Sequence, residues 1–480
     1  MGEKKHLALN AALNLIRQLC AVIFPIITFP YASRILGTDN YGKVEFGLSV
    51  VNMIALIASL GIAGYAIREG ARIRDDKRRI STFVNEVFSL NLLSMTAAYM
   101  ILAALLVFWP KLTSYRVIIL VLCLSIAATT IGADWINSIY EDFLFITVRY
   151  IICQTVAVVV LFLIVHGSED YVQYAFTTVL GGLIANFLNV IHIRKKWGLK
   201  RRLTTQGIRK HLEPVFILFG NSLSSLVYIN SDVMLLGIFA ADSNVGIYTA
   251  AGKIYTLVKQ LVSAAMIVVI PSVAGSIGRN EDVREKLNGV LQVVLLLLGP
   301  AAAGLFVLRK EIVLLLSGNQ YLPAEKPLAI LAAALIFAVL ACFFANVIMI
   351  PFRMEKKVLL LTTVSAAVNI VLNIALIPQF KEQAAAATTL ISEIIMLAGS
   401  MWYTKEVFRP AALKTLLTGA GGAAVVFAVY ALTSRLTDMN LLRIALTIAL
   451  TLAGYGAIVL VLYRELVRSF AGQLRRRGKK

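Results

Sequence analysis

The stretch from Arg68 to Arg79, "REGARIRDDKRR", carries nine charges in twelve residues. It sits between two apolar runs in a chain that is 59% hydrophobic with a mean hydropathy of +0.81. A charge knot in so oily a chain reads as an elbow between two membrane spans. Its six Lys and Arg resist translocation, hold the topology and can touch anionic lipid headgroups. Arg68, Glu69 and Arg72 are its candidates for a role at the inner mouth of a pathway.

The rest of the chain fits that reading. Charged residues make up 15%, below the roughly 25% of globular chains. Apolar runs near 20 residues recur, each long enough to cross a hydrocarbon core of about 30 Å as a helix. Alternating ten-residue strands are absent, so a barrel is not expected. Lipid leaves the backbone to satisfy itself, and the expected fold is an all-α membrane protein. About fourteen spans are expected by run length, near 9–34, 42–66, 83–108, 115–138, 143–166, 171–193, 213–239, 244–271, 286–308, 327–350, 356–378, 384–404, 412–434 and 440–463. The basic start followed by an apolar run imitates a signal peptide, but Arg17 interrupts it and no small-x-small cleavage site follows. It is read as a retained first span.

A net charge of +20 would suggest nucleic acid in a soluble protein. Here the placement excludes that reading. With the N-terminus in the cytoplasm, inner segments hold roughly thirty Lys and Arg and outer ones roughly ten. Both termini are then cytoplasmic. Cys20, Cys123, Cys153 and Cys342 lie inside apolar runs without CxxC or CxxH spacing. The four histidines are scattered, and neither a metal nor a cofactor is expected. No outer loop is long enough for a separate domain, and no P-loop is present.

The two halves echo each other. "TDNYGKVEF" (38–46) and "ADSNVGIYT" (241–249) each place Asp and Asn before a Gly that enters a helix. "AFTTVL" (175–180) resembles "AATTLI" (386–391) at a similar offset. The expected organisation is an N-terminal lobe of six spans (1–193), a basic cytoplasmic linker (194–211) and a C-terminal lobe of six spans (212–405). Two further spans and a basic tail follow (406–480). The lobes form a parallel repeat, a transporter plan with the substrate site between the halves.

Charge inside a membrane needs a partner or a wet cavity. Arg17, Lys253, Asp232 and Glu393 lie deep in spans, where a cavity or ion-pair role is expected. Lys259 lies six residues after Lys253 and so on another helix face. Lys43, Glu86, Asp134 and Arg149 lie near span ends, where snorkelling to the interface is expected. Glu45 is a further buried-acid candidate. Asn369 and Asn373 share a face and read as interhelical hydrogen bonding. A basic, wet cleft suits phosphate oxygens.

Several stretches resemble one family. "SLGIAGYAIREGARIRDD" (59–76) is similar to a signature of bacterial polysaccharide flippases, the O-antigen and capsule repeat-unit translocases. "FPIITFPYASRILGTDNYGKVEF" (24–46), "DWINSIYEDFLFITVR" (134–149), "SDVMLLGIFAADSNVGIYTAAGKI" (231–254) and "NIVLNIALIPQFKEQAAAATTLISE" (369–393) resemble its hairpins and elbows in order. One departure is "KEQAAAA", where the family often has a Gly-Ala turn. The resemblance implies the multidrug/oligosaccharidyl-lipid/polysaccharide exporter fold, with two six-helix lobes and two C-terminal helices. It implies alternating access without ATP, and a substrate of undecaprenyl diphosphate bearing a short glycan. By analogy with the related peptidoglycan-precursor flippase, Arg17 and Lys253 fit the diphosphate best, with Arg34, Lys43 and Arg149 behind them.

The implied place is the bacterial cytoplasmic membrane. The implied partners are the lipid-linked glycan, membrane lipids and glycan polymerase or assembly proteins, with the chain itself a monomer. The alternatives are a drug/cation antiporter or a peptidoglycan-precursor flippase on the same fold. An antiporter would want an acidic cavity, which Asp232 and Glu393 keep open against the basic excess. A membrane enzyme, such as a glycan polymerase, would want a large catalytic outer loop, and none is visible.

Overall fold

The computed structural model describes residues 2–198, 203–267, 270–279, 281–409 and 413–463. Every regular element among them is helical. Among the described residues, ten helical stretches are long and apolar enough to cross a membrane. Large apolar side chains such as Phe108, Leu163, Phe187, Leu452 and Val461 point outward from them, as lipid-facing positions do. The chain divides into two compact units, Met1–Gly246 and Ile247–Lys480.

The first unit opens with α1 (Gly2–Ser59), which is broken at Gly37. There φ is 72°, a value that glycine adopts without a Cβ penalty. Its 58 residues are long enough for two crossings at about 1.5 Å per residue. The elbow then forms α2 (Ile62–Ile73), whose buried face is Ile62, Tyr65, Ala66 and Gly70 while Arg68 and Arg72 stay exposed. Asp76 starts α3 (Lys77–Phe108) by accepting from the amides of Arg78 and Arg79, both at 3.0 Å. The short helices α4 (Arg116–Leu122), α5 (Leu124–Gly132) and α6 (Trp135–Ile139) follow. Then come the long α7 (Phe143–Ile164) and α8 (Tyr171–Lys196), packed on each other, and α9 (Arg209–Phe239), packed on α1 and α2. A buried cluster of Ile62, Val84, Val87, Ile136, Ile139 and Val215 joins α2, α3, α6 and α9. Gly70 admits the close approach, since a Cβ there would strike Ile139.

Helix α10 (Asp242–Ile267) begins in the first unit and continues into the second. The second unit holds α11 (Ile270–Gly278), α12 (Arg284–Val307), α13 (Arg309–Ser317) and α14 (Glu325–Cys342). The last of these runs on as a π-helical turn, Phe343–Met349. Helix α15 (Glu355–Thr404) spans 50 residues and breaks at Lys381, with φ 50° and ψ −128°. The turn at "KEQAAAA" therefore places a lysine at positive φ, a backbone that costs a residue with a Cβ and not a glycine. Helices α16 (Leu413–Leu436) and α17 (Asn440–Leu462) complete the unit. A Cβ at Gly299 of α12 would strike the Gly419 carbonyl of α16, the small-residue approach common between membrane helices. Arg443 of α17 and Tyr430 of α16 both donate to buried Glu311 of α13, at 2.8 and 2.9 Å.

Candidate functional site: buried polar groups in each unit

In the second unit the deep acid is paired. Lys259 Nζ lies 2.8 Å from Glu393 Oε1, and the Tyr255 hydroxyl reaches the same oxygen at 3.5 Å. Glu393 is 4% exposed, so the pair sits in a low-dielectric setting where removal of either member leaves a costly charge. Lys253 and Lys259 lie on different faces of α10, and it is Lys259 that meets the acid. Lys253 is half-buried elsewhere on α10. One layer away, Asn373 Nδ2 donates to Asn369 Oδ1 at 3.0 Å and Thr388 Oγ1 donates to Asn373 Oδ1 at 2.6 Å. Thr388 joins the two arms of α15 across the Lys381 turn, which is the hydrogen bonding expected of the Asn pair.

In the first unit Arg149 is 7% exposed and pairs with Asp134 at 2.7 Å. Its guanidinium carbon lies 5.0 Å from the centre of the Phe145 ring. Nε and Nη1 of Arg149 are buried without an acceptor among the described residues. The expected snorkelling of Arg149 and Glu86 does not occur, because both find partners inside the protein. For Arg149 the cause is local. Ala133 turns through φ 51°, and Asn189 and Asn137 hold that turn through the Gly132 carbonyl at 2.9 Å and each other at 2.5 Å. Asp134 is thereby presented to Arg149. Nearby, at the start of α7, Asp142 is approached by Lys196 at 2.6 Å and His192 at 2.9 Å. Burial raises the Asp142 carboxyl, but these two partners outweigh it and hold it below the usual carboxylate range.

Glu86 belongs to a chain of groups that the sequence did not reveal. His211 Nε2 lies 2.9 Å from Glu86 Oε2, and His211 Nδ1 lies 2.6 Å from the Tyr65 hydroxyl. Lys210 Nζ adds an ion pair to Glu86 at 2.9 Å. His211 is 2% exposed. The residues before it are tied down too. The Thr204 amide donates to Ser89 Oγ at 2.9 Å, and Gly207 turns at φ 76° against Glu86, where a Cβ would strike the carboxylate. The elbow candidates lie beside this chain: Glu69 is held by Arg68 and Arg72, each at 3.2 Å.

The echoing stretches also meet. A Cβ at Gly42 would strike the Asp242 carbonyl, and one at Gly246 would strike the Thr38 carbonyl. Each turn therefore offers its glycine to the other's backbone. Tyr115 donates to Asp242 Oδ1 at 2.5 Å beside this contact. The paired threonines of the second echo play one role as well: Thr177 and Thr178 bond the backbone of α8, and Thr388 and Thr389 that of α15. Of the remaining candidates, Lys43 bonds Asn40 at 3.0 Å and faces the Tyr171 ring. Glu45 and Asp232 are buried, Arg17 is half-buried and Arg34 is exposed.

Comparison with known proteins agrees with this architecture. The chain is 20% identical to a protein named as an O-antigen transporter of Escherichia coli strain K12, over 80% of this chain and 93% of that one. It is 23% identical to the succinoglycan biosynthesis transport protein ExoT of Rhizobium meliloti, over 64% of this chain and 61% of the other. The fold is similar to that of the lipid II flippase MurJ in an inward closed conformation. The TM-score is 0.74 at 17% identity, covering 94% of this chain and 99% of that one. The model of the polysaccharide biosynthesis protein family matches residues 7–275, more than half of the chain. The chain belongs to the polysaccharide biosynthesis protein family.

Proposed function

We propose that the protein is a flippase that moves lipid-linked oligosaccharide from the cytoplasmic to the outer leaflet by alternating access. The observation that carries this reading is the likeness to the O-antigen transporter along 93% of that protein's length. The membrane-crossing helices and the paired buried charges support it. In this reading the substrate is an undecaprenyl diphosphate glycan, and the lobes are 1–193 and 212–405 with both termini in the cytoplasm. Its membrane is the bacterial cytoplasmic membrane, and the chain works as a monomer beside glycan polymerase or assembly proteins.

The chemistry follows from the diphosphate. A dry apolar path would cost several kcal/mol for each desolvated charge. Cations along the path replace water with charge-assisted hydrogen bonds. Arg17 and Lys253 fit that role best, followed by Arg149, Lys43 and Arg34. Glu393, Asp232 and Glu45 would set the orientation of neighbouring cations, as Glu393 does with Lys259. The inside-negative potential favours outward movement of an anion by roughly 2.3 kcal/mol per charge per 100 mV.

The test is leaflet exchange of a fluorescent polyprenyl-diphosphate glycan by the reconstituted protein. Wild type is expected to exchange it, and Arg17→Ala and Lys253→Ala to slow exchange at normal protein level. Normal exchange by both variants refutes the site. Absence of exchange by wild type, with cation-driven drug efflux in its place, refutes the function.

A further inference from the structure

The Tyr65–His211–Glu86 chain forms the floor of a pocket of about 710 Å³. That volume falls within the range of ligand sites, about 300–1,000 Å³. Three elements build it. Helix α2 contributes Tyr65 and Glu69, the first turns of α3 contribute Arg78, Arg79 and Thr82, and the start of α9 contributes Lys210 and His211. The floor is rigid, because His211 is held from both ring nitrogens and Glu86 accepts from His211 and Lys210.

The carboxylates in the pocket are already engaged by their own surroundings. Asp76 is taken up by the amides that begin α3, with Arg79 at 3.4 Å. Glu69 is held by Arg68 and Arg72, and Glu86 by Lys210 and His211. Arg78, Arg79 and Lys210 line the pocket with the three carboxylates, and Arg68 and Arg72 reach Glu69 from outside the lining, so the five cations and three carboxylates together sum to a positive charge. Arg79 is 76% exposed and Lys210 61%, so both can swing onto a ligand. Phe83 and Ile73 supply an apolar side to the same pocket. Cations at the mouth beside an apolar wall match a group whose head is an anion and whose stem is hydrocarbon. Helix α2 buries its apolar face against α3, α6 and α9 and turns Arg68 and Arg72 outward beside the pocket.

We propose that this pocket seats the phosphate of a lipid headgroup in the inner leaflet. The phosphate accepts from Arg78, Arg79 and Lys210, and the first carbons of the lipid lie along Phe83 and Ile73. The proposal rests on the inner placement of the elbow in the reading above. Two lipids share this chemistry, the glycan carrier with its diphosphate and an ordinary anionic phospholipid.

The experiment titrates the delipidated full chain in neutral detergent with three probes. These are dioctanoyl phosphatidylglycerol, a short-chain polyprenyl diphosphate and phosphate-free dioctanoylglycerol. Binding is read as dissociation constant and as shift in melting temperature, for wild type, Arg78→Gln/Arg79→Gln and the distant control Arg116→Gln. The expected result is saturable binding of at least one phosphate-bearing probe, weakened tenfold or more in the double variant and unchanged in the control. Preference for the diphosphate assigns the seat to the transported lipid, and equal affinity assigns it to bulk phospholipid. The proposal is overturned if neither phosphate-bearing probe binds, if dioctanoylglycerol binds as tightly, or if the double variant binds like wild type. Melting temperature without probe reports whether the variants fold, and Lys210→Gln gives an independent reduction if they do not. Leaflet exchange is measured separately, so loss of the flippase reading and loss of the seat are distinct results.

Discussion

Gly42→Ala is the sharpest perturbation that the structure offers. The new Cβ would fall on the Asp242 carbonyl and beside the Gly246 amide. Both neighbours are backbone, so no side chain can rotate away. Overpacking of such a site costs about 1–3 kcal/mol. At about 1.4 kcal/mol per tenfold, the closed contact loses roughly five- to 150-fold in population against any arrangement that parts the two turns. The assay is the rate at which Ser243→Cys reacts with a water-soluble maleimide in a protein whose four native cysteines are replaced by alanine. Gly42→Ala should raise that rate at least fivefold, and Gly246→Ala should act in the same direction. The double variant should fall short of the product of the two, because both relieve one contact. Gly252→Ala is the control: nothing lies within 4 Å of its added Cβ, so the rate should stay put. If Gly42→Ala leaves both labelling and melting temperature at the parental values, the close approach of the two turns is refuted.

Two further outcomes follow from the buried charges. Glu86→Ala removes the shared partner of His211 and Lys210 and should destabilise the protein by about 3 kcal/mol, with Tyr65→Phe costing about 1 kcal/mol. A double-mutant cycle from denaturant melts should show coupling between Glu86 and Tyr65 through the imidazole, and strict additivity would contradict the chain. Asp142 has a folded pKa below its unfolded one, so its contribution is complete above about pH 4 and is lost as pH falls through the folded value. Melting temperatures from pH 3 to 6 should therefore fall less steeply for Asp142→Asn than for wild type; parallel curves would exclude the linkage.

The fold was legible where apolar length and charge placement speak, and it faded where backbone geometry decides. The elbow at Arg68–Arg79 and the break at Gly37 are both written in residue types, a charge run and a glycine. The break at Lys381 falls between the spans expected at 356–378 and 384–404, but the lysine at φ 50° that makes it carries no mark in the letters. Among the deep charges, spacing separated Lys253 from Lys259 but could not say which faces Glu393; packing of α10 on α15 chose Lys259. Arg149 read as a snorkelling residue because its distance from the span end is visible and the left-handed turn at Ala133 is not. Tyr65, Glu86 and His211 are up to 146 residues apart in sequence. Only the fold brings them together, and the one hint was an acid inside an apolar run.

The anchoring of Thr204, Gly207, Lys210 and His211 on α2 and α3 has a consequence for chain continuity. The start of α9 and the residues just before it are attached to their unit by side-chain and backbone contacts to Ser89, Glu86 and Tyr65. A gene split between the codons for Gly198 and Leu203 would yield two polypeptides, and the second would still find Ser89, Glu86 and Tyr65 waiting on the first.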